Sequence, residues 1–473
     1  MRGLWRWIDE RLELEDSVFA VLRHPVPREV DTGVGWFYVF GSVTLTLFIV
    51  QVVTGVALAM TYVPAPNSAY DSLKFITDQA FLGSFVRGVH YWGAAAMVIV
   101  VLVHMTQVFF FGAHRYPREL NWMTGSLLLL STLAMAFSGQ LLRWDQDAYW
   151  AVVVAAEQVA RVPVIGDILA HVVVAGSDVG GATLTRFFAT HVFLIPALIF
   201  GFIGVHLYLV IKRGISEPPT PGQRVERATY RQRYEEALAH GVPFYPDVIW
   251  RDVVAAFAAV AVVVALAIVV GPAHLGQPPD PTVILADPRP DWYFLGYFAL
   301  LALIPPATET IVIVGLPLLA FAFLFLLPLW RPFGERHWSR RPGAVAVVTI
   351  PLVAYIALSV AGEQAPWSPE LAQNASLPPA VTAGLDAAQR HGAELFVSKG
   401  CWSCHQIAGS GGRRGPDLST IASRDSRSRI IQRILNGGVG ATDPGEGFVM
   451  PAYASTISPA DLNDLVDFLE TRK

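Results

Sequence analysis

Four histidines stand in pairs within apolar stretches, His90 with His104 and His191 with His206, at spacings of 14 and 15 residues. On a helix turning about 100° per residue each pair stays within about 60° of one face. At about 1.5 Å rise its members lie roughly 21–22 Å apart. An imidazole inside an apolar span is costly and marks a functional position. Two such helices side by side can hold two stacked metal centres, each gripped by one imidazole from each helix. A second ligand set is Cys401-Trp402-Ser403-Cys404-His405, which contains the only two cysteines. That spacing is the attachment motif of c-type haem: two thiols add across the vinyl groups and the adjacent histidine ligates iron. A redox disulfide or half a zinc site would leave His405, the Gly415-Pro416-Asp417-Leu418 stretch and Met450 without a role. Met450 follows His405 by 45 residues, and a His/Met pair is the expected ligation of an electron-transfer cytochrome c.

The elements that must carry these ligands follow from composition. The chain has 473 residues, 53% hydrophobic and 15% charged, which describes a polytopic membrane protein. The net charge of −4 carries no nucleic-acid signal. Runs able to cross about 30 Å of hydrocarbon lie near 36–62, 87–111, 122–141, 186–211, 251–271, 308–330 and 343–362. The first ~30 residues interleave Leu4, Trp5, Ile8 and Leu12 with charge and read as an interfacial helix, not a cleaved signal. Residues 150–175 are apolar but interrupted by Glu157, Arg161, Pro163, Asp167 and His171, so a pair of short surface helices is expected there. With the N-terminus inside, the inner segments carry eighteen Lys/Arg, against six in the outer segments before the C-terminal domain, as the positive-inside rule requires. Seven spans then leave the C-terminus outside. The second and fourth spans both run inward, so His90 and His191 share an outer level and His104 and His206 an inner one.

Two spans without histidine carry glycines at a matching interval, Gly41 and Gly55 in the first and Gly125 and Gly139 in the third, each 14 apart. Small-residue helix packing explains one such pair; two pairs in register with two histidine pairs favour side-chain-free patches against a haem. Arg87, one turn before His90, and Arg118, at the inner start of the third span, are placed to meet haem propionates, with interfacial snorkelling as the competing reading. Four blocks are expected: residues 1–215 with the di-haem spans, 243–365 with three spans, a Pro/Ala-rich linker over 366–384, and a small helical domain over 385–473. The remaining histidines, including His24, His114, His171, His240, His274, His337 and His391, read as surface or loop residues.

The stretches Pro117-Arg118-Glu119-Leu120-Asn121-Trp122, Trp144-Asp145-Gln146 with Tyr149-Trp150, Thr183-Leu184-Thr185-Arg186-Phe187 and Gly214-Ile215-Ser216 resemble cytochrome b of the quinol-oxidising cytochrome bc complexes. The 15-residue step from His191 to His206 resembles the photosynthetic and Gram-positive branch, where cytochrome b is split. Residues 243–365 resemble its three-span subunit IV. The chain looks like both pieces joined, with a monohaem cytochrome c appended. The resemblance implies an all-α polytopic membrane protein: a four-helix di-haem bundle, a three-helix block and a small soluble class I-like cytochrome c domain. Pro290-Asp291-Trp292-Tyr293 resembles the Pro-Glu-Trp-Tyr signature of the outer quinol site, where the carboxylate takes a proton and the tyrosine gates or hydrogen-bonds. Aspartate shortens the reach by one methylene, and relatives with this variant tend to use lower-potential quinones, which points to menaquinol. Split-type relatives bind an extra haem through a cysteine where Val39 stands, so no covalently attached extra haem is expected. Lys212, Arg213 and His206 are nearby candidates for the inner quinone site that the resemblance implies.

The resemblance further implies two non-covalent b haems, one covalent c haem, and a redox subunit of a proton-translocating quinol–cytochrome c oxidoreductase. Quinol oxidised outside would send one electron through a Rieske iron–sulfur partner to haem c and the other through the b haems to an inner quinone. A Rieske cluster needs two cysteines and two histidines, and both cysteines here belong to the haem c motif, so that partner is a separate protein. A homodimeric complex in a bacterial inner membrane is implied, with the cytochrome c domain on the periplasmic side. Its acceptor would be a cytochrome c, soluble or membrane-bound, or a terminal oxidase. A di-haem membrane anchor serving another dehydrogenase is the alternative, and it leaves Pro290–Tyr293 and the three-span block unexplained.

Overall fold

A computed structural model describes residues 21–175, 179–279, 290–364, 377–411, 416–439, 449–450, 452–454 and 456–473. Residues 1–20 of the expected interfacial helix and 365–376 of the expected linker lie outside that set. Among the described residues, seven helices are long and apolar enough to span: Gly33–Ala59, Gly83–Phe110, Glu119–Leu141, Gly181–Arg213, Phe244–Val269, Thr308–Trp330 and Pro342–Gln364. They coincide with the seven apolar runs of the sequence. The chain divides into two compact units, the first comprising residues 1–143, 187–275 and 305–357.

In the first unit the first span packs along the second and the third along the fourth, while the fifth covers the second and the sixth covers the third. Without water to drive association, such packing depends on close approach at small residues. A Cβ on Gly88 would lie 3.2 Å from the Ala267 Cα, and one on Gly93 would lie 2.1 Å from Gln51 Nε2. Val43, Leu47, Phe48, Met97, Ile199 and Val263 form the buried apolar centre. Indole N–H groups tie neighbouring spans through backbone carbonyls, Trp92 to Gly271 at 2.8 Å and Trp122 to Leu324 at 2.6 Å.

The fourth span is not a uniform α-helix. It runs as α-helix over Gly181–Ala189, as a π-helical turn over Thr190–Leu194, and as α-helix again over Ile195–Arg213. Pro196 supplies the cause, since it donates no N–H and its ring crowds the carbonyl four residues back. A wider turn relieves that crowding, and single π turns recur at functional positions. The turn contains His191.

At the Arg-rich end, arginine side chains take up carbonyls at helix termini and in the loops that follow them. Arg341 Nη2 donates to Phe109 and Phe110 at 2.8 Å, and Arg336 Nη2 donates to Glu217 at 2.6 Å. Arg115 Nη1 donates to Arg331 at 2.7 Å and also to Phe333. Of the two places expected for the remaining histidines, surface or loop, His114 takes the second. It lies in a loop but is 3% exposed, its ring stacked on Phe109 at 5.2 Å. Burial, reinforced by Arg115 and Arg341, pushes it down to about 3.

The second unit comprises residues 144–186, 276–304 and 358–473. Residues 150–175 form two short helices, Gln146–Ala160 and Gly166–Val174, as their interrupted apolar pattern requires. Asp145 caps the first, accepting from Ala148 N at 3.0 Å and from Gly276 N at 3.1 Å. A short apolar helix, Trp292–Leu303, follows Asp291. The soluble domain is built on helices Ala387–Ser398 and Pro459–Glu470. They cross where Gly392 meets the Asp464 carbonyl; a Cβ there would lie 2.0 Å from that oxygen. Phe396 and Phe468 pack beside the crossing with ring centres 5.8 Å apart, in a core that includes Leu395, Ile407, Ile430, Ile434, Leu465 and Val466. A capping box at Asp386 and Gln389 starts the first of these helices, and Ser458 caps the second through Asp461 N at 3.1 Å.

Candidate functional site

Each of the four intramembrane histidines faces one of the four spaced glycines. A Cβ on Gly55 would lie 3.2 Å from Cε1 of His90, and one on Gly41 would lie 3.3 Å from Cε1 of His104. The same construction puts Gly139 at 2.6 Å from His191 Cε1 and Gly125 at 3.5 Å from His206 Cε1. The glycine gaps are therefore where the imidazole edges sit: the second span leans its histidines on the first, and the fourth leans its own on the third. Across the bundle His90 and His191 face each other with ring centres 6.4 Å apart and planes at 78°. His104 and His206 are neighbours at the other level.

The His90–His191 separation fits an iron held between two imidazoles. Two metal–nitrogen bonds of about 2.0–2.1 Å, plus about 1.1 Å from each nitrogen to its ring centre, sum to about 6.3 Å. Each pair supplies two protein ligands, the number a haem iron leaves open. The π turn explains how unequal spacings serve equal levels. It adds one residue without advancing the helix phase, so 15 residues in the fourth span match 14 in the second.

Three hydroxyls escaped the spacing argument. Thr54 Oγ1 lies 2.9 Å from His90 Nδ1, Thr124 Oγ1 2.9 Å from His206 Nδ1, and Ser138 Oγ 3.0 Å from His191 Nδ1. Each hydroxyl also donates to a carbonyl of its own helix: Val50 at 2.7 Å, Leu120 at 2.9 Å and Met135 at 3.2 Å. With its hydrogen so committed, the oxygen accepts from Nδ1–H, which leaves Nε2 free for a metal. The sequence signal was a Ser/Thr–Gly dipeptide at each place.

In the soluble domain Cys401–Cys404 forms one helical turn closed by the His405 N–H on the Cys401 carbonyl at 2.9 Å. His405 Nδ1 donates to Pro416 O at 2.8 Å, fixing the tautomer whose Nε2 can ligate iron. Burial pushes the Cys401 thiol up to about 12, the reverse of what a thiol poised for disulfide exchange needs. Met450 sits on a two-residue strand, Val449–Met450, paired with Gly438–Val439, and packs against the domain core. The Trp402 Nε1–H is buried without a partner among the described residues, a donor between the two cysteines that a haem's polar edge would satisfy.

Asp291 stands at the N-cap of the helix Trp292–Leu303 without capping it. Its Oδ2 accepts instead from the Tyr293 hydroxyl at 2.6 Å. The structure thus brings the two expected quinol-site residues into one hydrogen bond. The two arginines are buried, each 7% exposed. Arg87 donates to Thr77 Oγ1 at 2.9 Å and Ala273 O at 2.7 Å. Arg118 donates to Gly214 O at 3.0 Å, Arg213 O at 3.1 Å and the Tyr230 hydroxyl. Burial on protein partners is not the conformation of a snorkelling surface arginine. Lys212 and Arg213 are exposed.

Comparison with known proteins covers the chain in three parts. Residues 25–214 match the family described as cytochrome b/b6/petB, 278–376 match cytochrome b(C-terminal)/b6/petD, and 389–473 match cytochrome c. The cytochrome b6 of Heliobacterium modesticaldum is 38% identical over 213 residues, 45% of this chain and 99% of that protein. The menaquinol:cytochrome c reductase cytochrome b subunit of Bacillus subtilis is 37% identical over 222 residues, 46% of this chain and 99% of the relative. Among solved structures, a chain of a hyperthermophilic respiratory complex III superposes with a TM-score of 0.64 at 27% identity, over 76% of this chain and 91% of its own. Paired histidines on facing spans and sequence similarity along almost the full length of these relatives lead to one conclusion: the chain belongs to the cytochrome b/b6 family, with a petD-like segment and a cytochrome c domain following in the same polypeptide.

Proposed function

We propose that the chain is the redox subunit of a quinol–cytochrome c oxidoreductase that works with a separate Rieske iron–sulfur protein. The observation that carries this reading is the set of four histidine–glycine couples, which offers two bis-imidazole sites on one bundle. His90 and His191 would ligate the outer b haem and His104 and His206 the inner one, with His405 and Met450 ligating a haem joined covalently to Cys401 and Cys404. Bound there, the haems supply one-electron carriers at two membrane depths and on the soluble domain. Gly41, Gly55, Gly125 and Gly139 admit the imidazole edges and leave room beside them for a macrocycle. Arg87 and Arg118, each with five guanidinium N–H donors, are assigned to propionates in addition to their protein partners.

Quinol is assigned to the outer face at Asp291. An ionised carboxylate holding the Tyr293 hydroxyl keeps acceptor capacity for a quinol O–H, and Tyr293 fixes its orientation. Menaquinol is favoured by the shorter aspartate and by similarity to a relative described as a menaquinol:cytochrome c reductase subunit. The petD-like block and the cytochrome c domain favour this reading over a plain di-haem anchor. Sidedness follows from the Lys/Arg count: N-terminus in the cytoplasm, cytochrome c domain outside, in a homodimeric complex that moves protons outward. The domain limits proposed are 1–215, 243–365, 366–384 and 385–473.

The test is quinol–cytochrome c reductase turnover by the purified complex. Asp291→Ala combined with Tyr293→Ala should remove most of it while all haem spectra persist. Full turnover by that double variant would overturn the quinol-site assignment.

A further inference from the structure

The four histidines are not held alike. His90, His191 and His206 each have a hydroxyl on Nδ1, from Thr54, Ser138 and Thr124. The same three rings meet a backbone acceptor four residues before the facing glycine, at Gln51, Met135 and Asn121. His104 has neither: its Nδ1 is buried without a hydrogen-bond partner among the described residues. The reason is local. The residue before Gly41 is Phe40, where the other three glycines follow a threonine or serine, and Phe40 is the first residue of its α-helix. The preceding turn is 3-10, Gly33–Phe37, so no α-helical carbonyl stands four residues before Gly41. The nearby hydroxyl of Ser42 is turned to Asp252 and to Val39 O at 2.8 Å.

An acceptor on Nδ1–H raises the electron donation of Nε2 to a bound metal and favours the more highly charged, oxidised iron. We infer that Thr54, Thr124 and Ser138 are potential-setting residues, and that Phe40 withholds the fourth hydroxyl so that the His104/His206 centre is easier to reduce than the His90/His191 centre. The two bis-imidazole sites are otherwise alike in ligand type, so the asymmetry is built by these hydroxyls. Electrons entering at the His90/His191 level would then be drawn towards His104 and His206 by residues one helix away from the ligands. Phe40 and Thr54 are 14 residues apart on one helix, as are Thr124 and Ser138 on another, so a hydroxyl at position 40 would reach His104 as Thr54 reaches His90.

The test is a potentiometric titration of the b absorbance in the purified complex. Phe40→Ser should lower the midpoint of one b component, and Thr124→Val should raise that same component. Thr54→Val and Ser138→Ala should each raise the other component and leave the first unmoved. A threefold change in the oxidised-to-reduced equilibrium is expected for each, about 28 mV at 59 mV per tenfold for one electron. Midpoints that stay fixed in all four variants at full haem content would overturn the inference, and so would Thr54→Val and Thr124→Val moving the same component. If Phe40→Ser loses haem, the three hydroxyl deletions decide the matter by which component each moves. The inference rests on the two-haem reading. A complex with a single b component would sink that reading itself, whereas two components indifferent to the hydroxyls would sink only this one.

Discussion

At the residue scale the four glycines do different amounts of steric work. Gly139 admits His191 so closely that a Cβ would sit 2.6 Å from the ring, whereas at Gly125 it would make an ordinary contact at 3.5 Å. Gly139→Ala should therefore displace His191 and cost one b haem, while Gly125→Ala should keep both; dithionite-reduced difference spectra of the two variants read this directly. Equal haem content in both would mean that the imidazole edges do not set the glycine requirement. His114 makes a separate prediction in pH. Its native value lies near 3, against an unfolded value of about 6.5, so below pH 6.5 the unfolded chain takes up a proton that the native one refuses. Stability contributed by the neutral ring is present above about pH 6.5 and is lost as pH falls towards 3, with a limiting slope of about 1.4 kcal/mol per pH unit. His114→Phe, which preserves the stack on Phe109, should flatten that part of the acid denaturation profile; an unchanged profile would show that His114 does not carry it.

At the element scale the wide turn in the fourth span is what reconciles two unlike ligand spacings. The pairing of His90 with His191 and His104 with His206 was legible from the spacings, because apolar runs and periodicity set both depth and face. The π turn at Thr190–Leu194 was not, although Pro196 marked it, since a proline in a membrane helix can equally be met by a kink. The hydroxyls of Thr54, Thr124 and Ser138 were hidden for a related reason: only the facing of helix on helix shows that residues before the glycines reach Nδ1. The burial of His114 was not legible because a loop position says nothing of the cover that Phe109 and Trp122 provide. One alanine inserted after Ala95 should turn His104 by about 100° from its partner and cost the haem at that level. Deleting Val192 should remove only the extra residue of the wide turn and keep both haems. Retention of both haems by the insertion variant would contradict the phase argument. In the soluble domain the helix crossing depends on Gly392, and Gly392→Val should destabilise it by about 1–3 kcal/mol or more through overpacking. Haem c loss and the melting of the c absorbance band in the full chain would report it.

For the whole molecule, seven spans, a cysteine pair committed to one motif and a family match in three consecutive segments give a single chain with the redox parts of several subunits. Its overall organisation was readable because membrane spans and haem attachment are specified by composition and spacing, whereas side-chain supports are specified by packing. Both cysteines of the sequence belong to the Cys401–His405 motif, so on the proposed function electrons would reach His405 from quinol through a separate Rieske protein. The central claim, two bis-histidine sites in the bundle and one covalent site outside it, is tested most directly by a pyridine haemochrome assay on the purified chain. Two b haems and one c haem per polypeptide are expected, with His90→Leu and His104→Leu each reducing the b content by one and leaving c unchanged. One b haem per polypeptide, or no covalently bound haem, would contradict it.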